Sequence, residues 1–132
     1  MLRRVTAMIS VLAGLSSPAF ATEWVNCADP TGAASFDLLL GATDVISVAG
    51  MTITVGEQVW ASDVAYGPGE PVAVGQAFET PEVIVVDAVD PGITTRVAEL
   101  RLFKASEGDA SAYGGTLRVP GHGAWAVSCS GP

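Results

Sequence analysis

Apolar residues recur at every second position along most of this chain, which is the period of a half-buried β-strand and not of a helix. The alternation is cleanest at Met51, Ile53 and Val55, with Thr52 and Thr54 between them. It returns at Ala98, Leu100 and Leu102, separated by Glu99 and Arg101. Val25 and Cys27 fall on one face of a first strand with Trp24 on the other, and Phe36, Leu38 and Leu40 share a face of a second. Val45 to Val48 reads as a short apolar strand broken by Ala49-Gly50. Gln58 to Tyr66 reads as another, with Trp60, Ser62, Val64 and Tyr66 on one parity. Val83-Ile84-Val85-Val86 is β-branched throughout, which predicts a strand buried on both faces. Leu117 and Val119, then Trp125, Val127 and Cys129, alternate on either side of Pro120-Gly121-His122-Gly123 and predict a terminal β-hairpin.

Turn residues separate these runs. Asp29-Pro30-Thr31-Gly32, Gly41 to Asp44, Gly56-Glu57, Gly67 to Pro71, Asp90-Pro91-Gly92 and Ser106 to Asp109 punctuate the chain. Proline presets φ and glycine accepts positive φ, so each cluster favours reversal over continuation. Val72 to Phe78 fits either strand or irregular chain. No long stretch keeps a helical period. The pattern predicts an all-β domain, an antiparallel sandwich or small barrel of about seven to nine short strands.

The first residues follow a different plan. Arg3-Arg4 precede an apolar run from Val5 to Leu15, then Ser16-Ser17-Pro18 and Ala19-Phe20-Ala21. This is the layout of a secretory signal with small residues at the cleavage site, and the run is shorter than the ~20 residues a spanning helix needs. The expected organisation is a signal peptide over 1–21 and one β-domain over 22–132, exported to the periplasm or beyond. Such a compartment is oxidising. The two cysteines, Cys27 and Cys129, are therefore expected to form a disulfide between the first and last strands.

Charge narrows the function. Residues 22–132 carry four basic and fourteen acidic residues, a net charge of −10. Nucleic acids and anionic membranes are recognised through basic patches, so both are disfavoured as partners, whereas a cationic protein is attracted. Catalytic chemistry finds little support. The single histidine, His122, sits in a turn without a local nucleophile or orienting carboxylate. Glu82, Asp87 and Asp90 do not have the spacing of a calcium loop, and no cofactor or metal is expected. A carboxylate hydrolase is the enzymatic alternative, although no pair among the fourteen acids stands out.

The aromatic residues carry the rest. Trp24 and Trp125 lie close to the cysteines in sequence and are expected to pack around the disulfide. Trp60 precedes a loop and reads either as core or as a binding anchor. Trp60, Ser62, Asp63, Tyr66 and Glu70 form the candidate binding set. Ala61-Ser62-Asp63-Val64-Ala65-Tyr66 resembles the Ser-Gly-x-x-Tyr stretch of the periplasmic inhibitors of C-type lysozyme, with Asp63 in place of the glycine. The resemblance is confined to that stretch. It implies that Ser62 would help to block the cleft of a basic hydrolase. The expected function is a non-catalytic protein-binding or structural module, with inhibition of a basic cell-wall hydrolase as the narrower alternative.

Overall fold

The computed structural model describes residues 22–41 and 45–131. The signal segment expected over 1–21 and the Ala42 to Asp44 part of the second turn lie outside the described residues.

Among the described residues ten strands follow one another: β1 (Thr22–Ala28), β2 (Ala34–Gly41), β3 (Val48–Val55), β4 (Gln58–Ala61), β5 (Glu70–Pro71), β6 (Ala73–Glu79), β7 (Val83–Val89), β8 (Arg96–Glu107), β9 (Ala110–Val119) and β10 (Gly123–Ser130). They form one sheet in the order β5-β4-β3-β2-β1-β10-β9-β8-β7-β6. The two strands at the ends of that order, β5 and β6, are separated in the chain by Val72 alone. One continuous run, Glu70 to Glu79, thus pairs first with β4 and then with β7, and the sheet curls into a nearly closed barrel. Near-closure shortens the open sheet edge that would otherwise invite pairing with other chains. The β4–β5 pairing is parallel and the others are antiparallel. Register irregularities at Leu39/Leu40, Val74/Gln76 and Ala88/Val89 add local bending of the kind that closes a barrel.

Alternate residues of the strands point inward and meet in one core. Phe36, Leu38, Met51, Ile53, Leu100, Leu102 and Leu117 are fully buried in it, with Val25, Val86 and Val119. Cys27 and Cys129 are directly opposed on β1 and β10 and form the expected disulfide, with Cα atoms 4.1 Å apart. β9 passes between β8 and β10 through Gly114-Gly115. A Cβ on Gly115 would overlap the Arg101 carbonyl, and one on Gly114 would lie 2.7 Å from the Val127 oxygen. Only glycine permits that approach.

Several sequence expectations change. Ala49-Gly50 does not break a strand but lies inside β3, and Val45 to Ser47 precede it outside any strand. β4 stops at Ala61 instead of reaching Tyr66, because Asp63 caps a single 3-10 turn over Val64–Tyr66. In β7, Ile84 and Val86 are buried while Val83 and Val85 are only half-buried, so this strand has one core face.

The outer face of β7, β8 and β9 holds the barrel's most concentrated charge. Asp87 and Glu99, buried and directly opposed across β7 and β8, are covered by three arginines. Arg101 Nη1 donates to Asp87 at 2.8 Å and Arg118 Nη1 to Glu99 at 2.6 Å, while Arg96 pairs with both carboxylates. Two like charges this close are tolerated because each is neutralised and hydrogen-bonded.

Candidate functional site

The β4–β5 connection does not project from the barrel. It folds back over the outer face of β3, and its own polar groups hold it there. The Ser62 N–H donates to the Met51 carbonyl (3.0 Å), and the Met51 N–H donates to Ser62 Oγ (2.9 Å). Thr52 Oγ1 donates to the Tyr66 carbonyl at 2.9 Å. Asp63 Oδ1 accepts from the Ala65 N–H at 2.8 Å, and the Tyr66 N–H donates to the Asp63 carbonyl. These bonds replace strand pairing with a capped turn, in line with the preference of aspartate for such positions.

Tyr66 then lies over Gly50. A Cβ on Gly50 would come within 2.6–2.9 Å of the ring, so glycine leaves the space the ring fills. The ring meets Trp24 edge to face at a centroid separation of 5.7 Å. Trp24, at 38% exposure, is therefore a surface residue that packs on Tyr66 and not, as its place in the sequence suggests, around the disulfide. Val64 stands at the crest of the turn, 94% exposed.

Of the five candidate binding residues, the structure brings Ser62, Asp63 and Tyr66 together in this strapped loop, with Glu70 exposed just beyond it. Trp60 departs from the set. It is 6% exposed, faces the core, and meets His122 edge to face at 5.1 Å. Three strands, β3, β2 and β1, lie between β4 and β10 in the sheet order, so this contact spans one end of the barrel. His122, exposed in its turn, packs on a core tryptophan. Ser62 is tied to β3, and the group that leads the loop is Val64.

Asp87 and Asp90 are also engaged internally. Asp87 belongs to the arginine cluster, and Asp90 accepts from the Thr94 and Thr95 backbone and the Thr94 hydroxyl. The Thr95 N–H, chiefly, holds the Asp90 carboxyl below the usual range.

Charge is distributed unevenly. Residues 5–95 contain no lysine or arginine. The four cations among the described residues, Arg96, Arg101, Lys104 and Arg118, are all paired with acids on β6, β7 or β8. The β1–β5 side, with Glu23, Asp37, Glu57, Asp63 and Glu70, has no basic residue of its own. Burial raises the Asp37 carboxyl above its ordinary range.

A concave feature lies at the barrel mouth, at the end carrying the β6–β7 and β8–β9 turns. A cavity of about 240 Å³ opens there between Val25, Leu40, Ile84, Tyr113 and the Lys104–Glu79 ion pair. Sequence reasoning missed it. The signal was the inward parity of Glu79 and Lys104, which extend the apolar rows ending at Ala77 and Leu102.

Comparison of the chain with protein-family models, with curated proteins and with solved structures finds no match. The disulfide is compatible with an exported protein, and among the described residues no helix is long and apolar enough to cross a membrane.

Proposed function

We propose that this protein is an exported, non-catalytic binding module that engages a cationic protein through the strapped Ser62–Gly69 loop and the Trp24–Tyr66 surface beside it. The observation that carries this reading is the segregation of charge. The cations are consumed by acids on β6–β8, which leaves the face around the loop acidic and uncompensated. An acidic field speeds encounter with a basic partner, while Val64, Trp24 and Tyr66 supply apolar area that can be desolvated on contact. Because the loop is bonded to β3 in advance, binding orders little new chain.

Inhibition of a basic cell-wall hydrolase is the narrower form of the same reading, favoured by the fully exposed Val64 at the crest of the loop. In this form Val64 leads into the cleft and Ser62 supports it from below. A C-type lysozyme is the defined probe, measured for binding and for residual activity at ~0.15 M salt, where attraction beyond about 8 Å is screened. Val64→Arg is expected to weaken binding at least tenfold. Equal binding by wild type and Val64→Arg contradicts the role of the loop.

A further inference from the structure

We propose that the barrel mouth is a site for a small zwitterion with an apolar side chain, of the class of a free aliphatic amino acid. The inward rows of the barrel are apolar through its centre, yet at this end β6 and β8 place Glu79 and Lys104 inward and opposite in charge. Glu79 pairs across the ladder with the core residue Ile84, and Lys104 lies two residues beyond the core residue Leu102. Lys104 is the one cation among the described residues with inward parity; the three arginines belong to the outer face. The lysine Nζ contacts Glu79 Oε1 at 2.6 Å, and both side chains remain partly open, at 24% and 37%.

The cavity beside this pair has an apolar floor, Val25, Leu40 and Ile84, and a wall formed by Tyr113, whose hydroxyl donates to the Gly131 carbonyl at 3.1 Å. Its volume of about 240 Å³ is below the ~300–1,000 Å³ of pockets for drug-sized ligands, and at ~30 Å³ per water it holds about eight waters. A molecule of about nine non-hydrogen atoms, such as leucine, matches that space.

The chemistry of recognition follows from the pair. A carboxylate alone would take Lys104 and leave Glu79 without its cation. An amine alone would take Glu79 and strand Lys104. A zwitterion exchanges one internal ion pair for two external ones, carboxylate to Lys104 and ammonium to Glu79, so no charge is left uncompensated. Its side chain then covers Val25, Leu40 and Ile84. No bond is made or broken.

The test is calorimetric titration of the oxidised protein with leucine, and in parallel with 4-methylpentanoate, which lacks the ammonium, and 3-methylbutylamine, which lacks the carboxylate. Leucine is expected to saturate in the millimolar range or tighter, a level about nine atoms can sustain. The two analogues are expected to bind at least tenfold more weakly. Amide shifts should centre on Ile84, Lys104 and Tyr113, and Glu79→Gln and Lys104→Met should each cost at least tenfold in leucine affinity. Leucine binding no tighter than either analogue, absence of saturation, or shifts centred elsewhere overturns the proposal. The analogue series needs only the wild-type chain, so it decides the matter even where a variant fails to fold.

Discussion

A missing side chain at Gly50 decides where the loop sits. Tyr66 occupies the space a Cβ would need, and the aromatic contact with Trp24 follows from that placement. Gly50→Ala forces the ring or the strand to move, and overpacking of this kind costs about 1–3 kcal/mol. Denaturant unfolding should show that loss. The same substitution in a Tyr66→Ala background should cost much less, because the competing ring is gone; equal costs in the two backgrounds would dissociate Gly50 from Tyr66. From sequence, Ala49-Gly50 reads as a strand end because small residues usually punctuate strands. The glycine here serves a long-range contact with a loop sixteen positions away, which local pattern does not encode.

Among elements, the β7–β8–β9 face ties stability to pH. The hydrogen bond from Arg96, followed by that from Arg118, holds the Glu99 carboxyl below its ordinary range. A lowered folded pKa contributes stability that is complete above the unfolded value, about 4.3, and is lost as pH falls through the folded value. Asp29, lowered chiefly by the Thr31 hydroxyl, and Asp90 act in the same direction. Asp37 acts oppositely: its raised pKa favours the fold in acid, and that contribution disappears as pH rises through the raised value. With three lowered carboxyls against one raised, stability is expected to fall below about pH 4. Glu99→Gln should destabilise by about 1–3 kcal/mol at neutral pH, with the deficit shrinking in acid. Parallel wild-type and variant curves in an acid titration of unfolding would refute that linkage.

Period-two alternation located nearly every strand, because a barrel with one apolar face writes that pattern directly. Its failures share a cause. β4 ended early at Asp63 because a side-chain cap competed with the ladder, and β5 was invisible because Glu70–Pro71 pairs in parallel with a partner the local sequence does not name. The candidate loop was legible from its turn residues. Parity also put Trp24 on the face opposite Val25 and Cys27 and left the core open to Trp60; what it did not give was the partner of Trp24, since Tyr66 reaches it from a loop folded over β3. The mouth pair Glu79–Lys104 joins residues 25 positions apart and became visible only with the register.

At the scale of the molecule, the disulfide and the charge asymmetry set the behaviour. Cys27 and Cys129 close a loop of separation 102 between strands that meet at the middle of the sheet order. In the chain-entropy model such a link contributes about 4–5 kcal/mol, so the Cys27→Ser, Cys129→Ser double variant should lose roughly that much in denaturant unfolding. A loss under about 1 kcal/mol would show that the barrel closes without the link.

The charge asymmetry bears on function most directly, and its test is the salt dependence of binding between the oxidised protein and a C-type lysozyme, compared with Val64→Arg and Glu70→Lys. Binding is expected to weaken steadily as salt rises, with both substitutions reducing affinity at every salt concentration. Absence of binding even at low salt, or binding that neither substitution changes, would contradict the assignment of the acidic loop face as the contact surface.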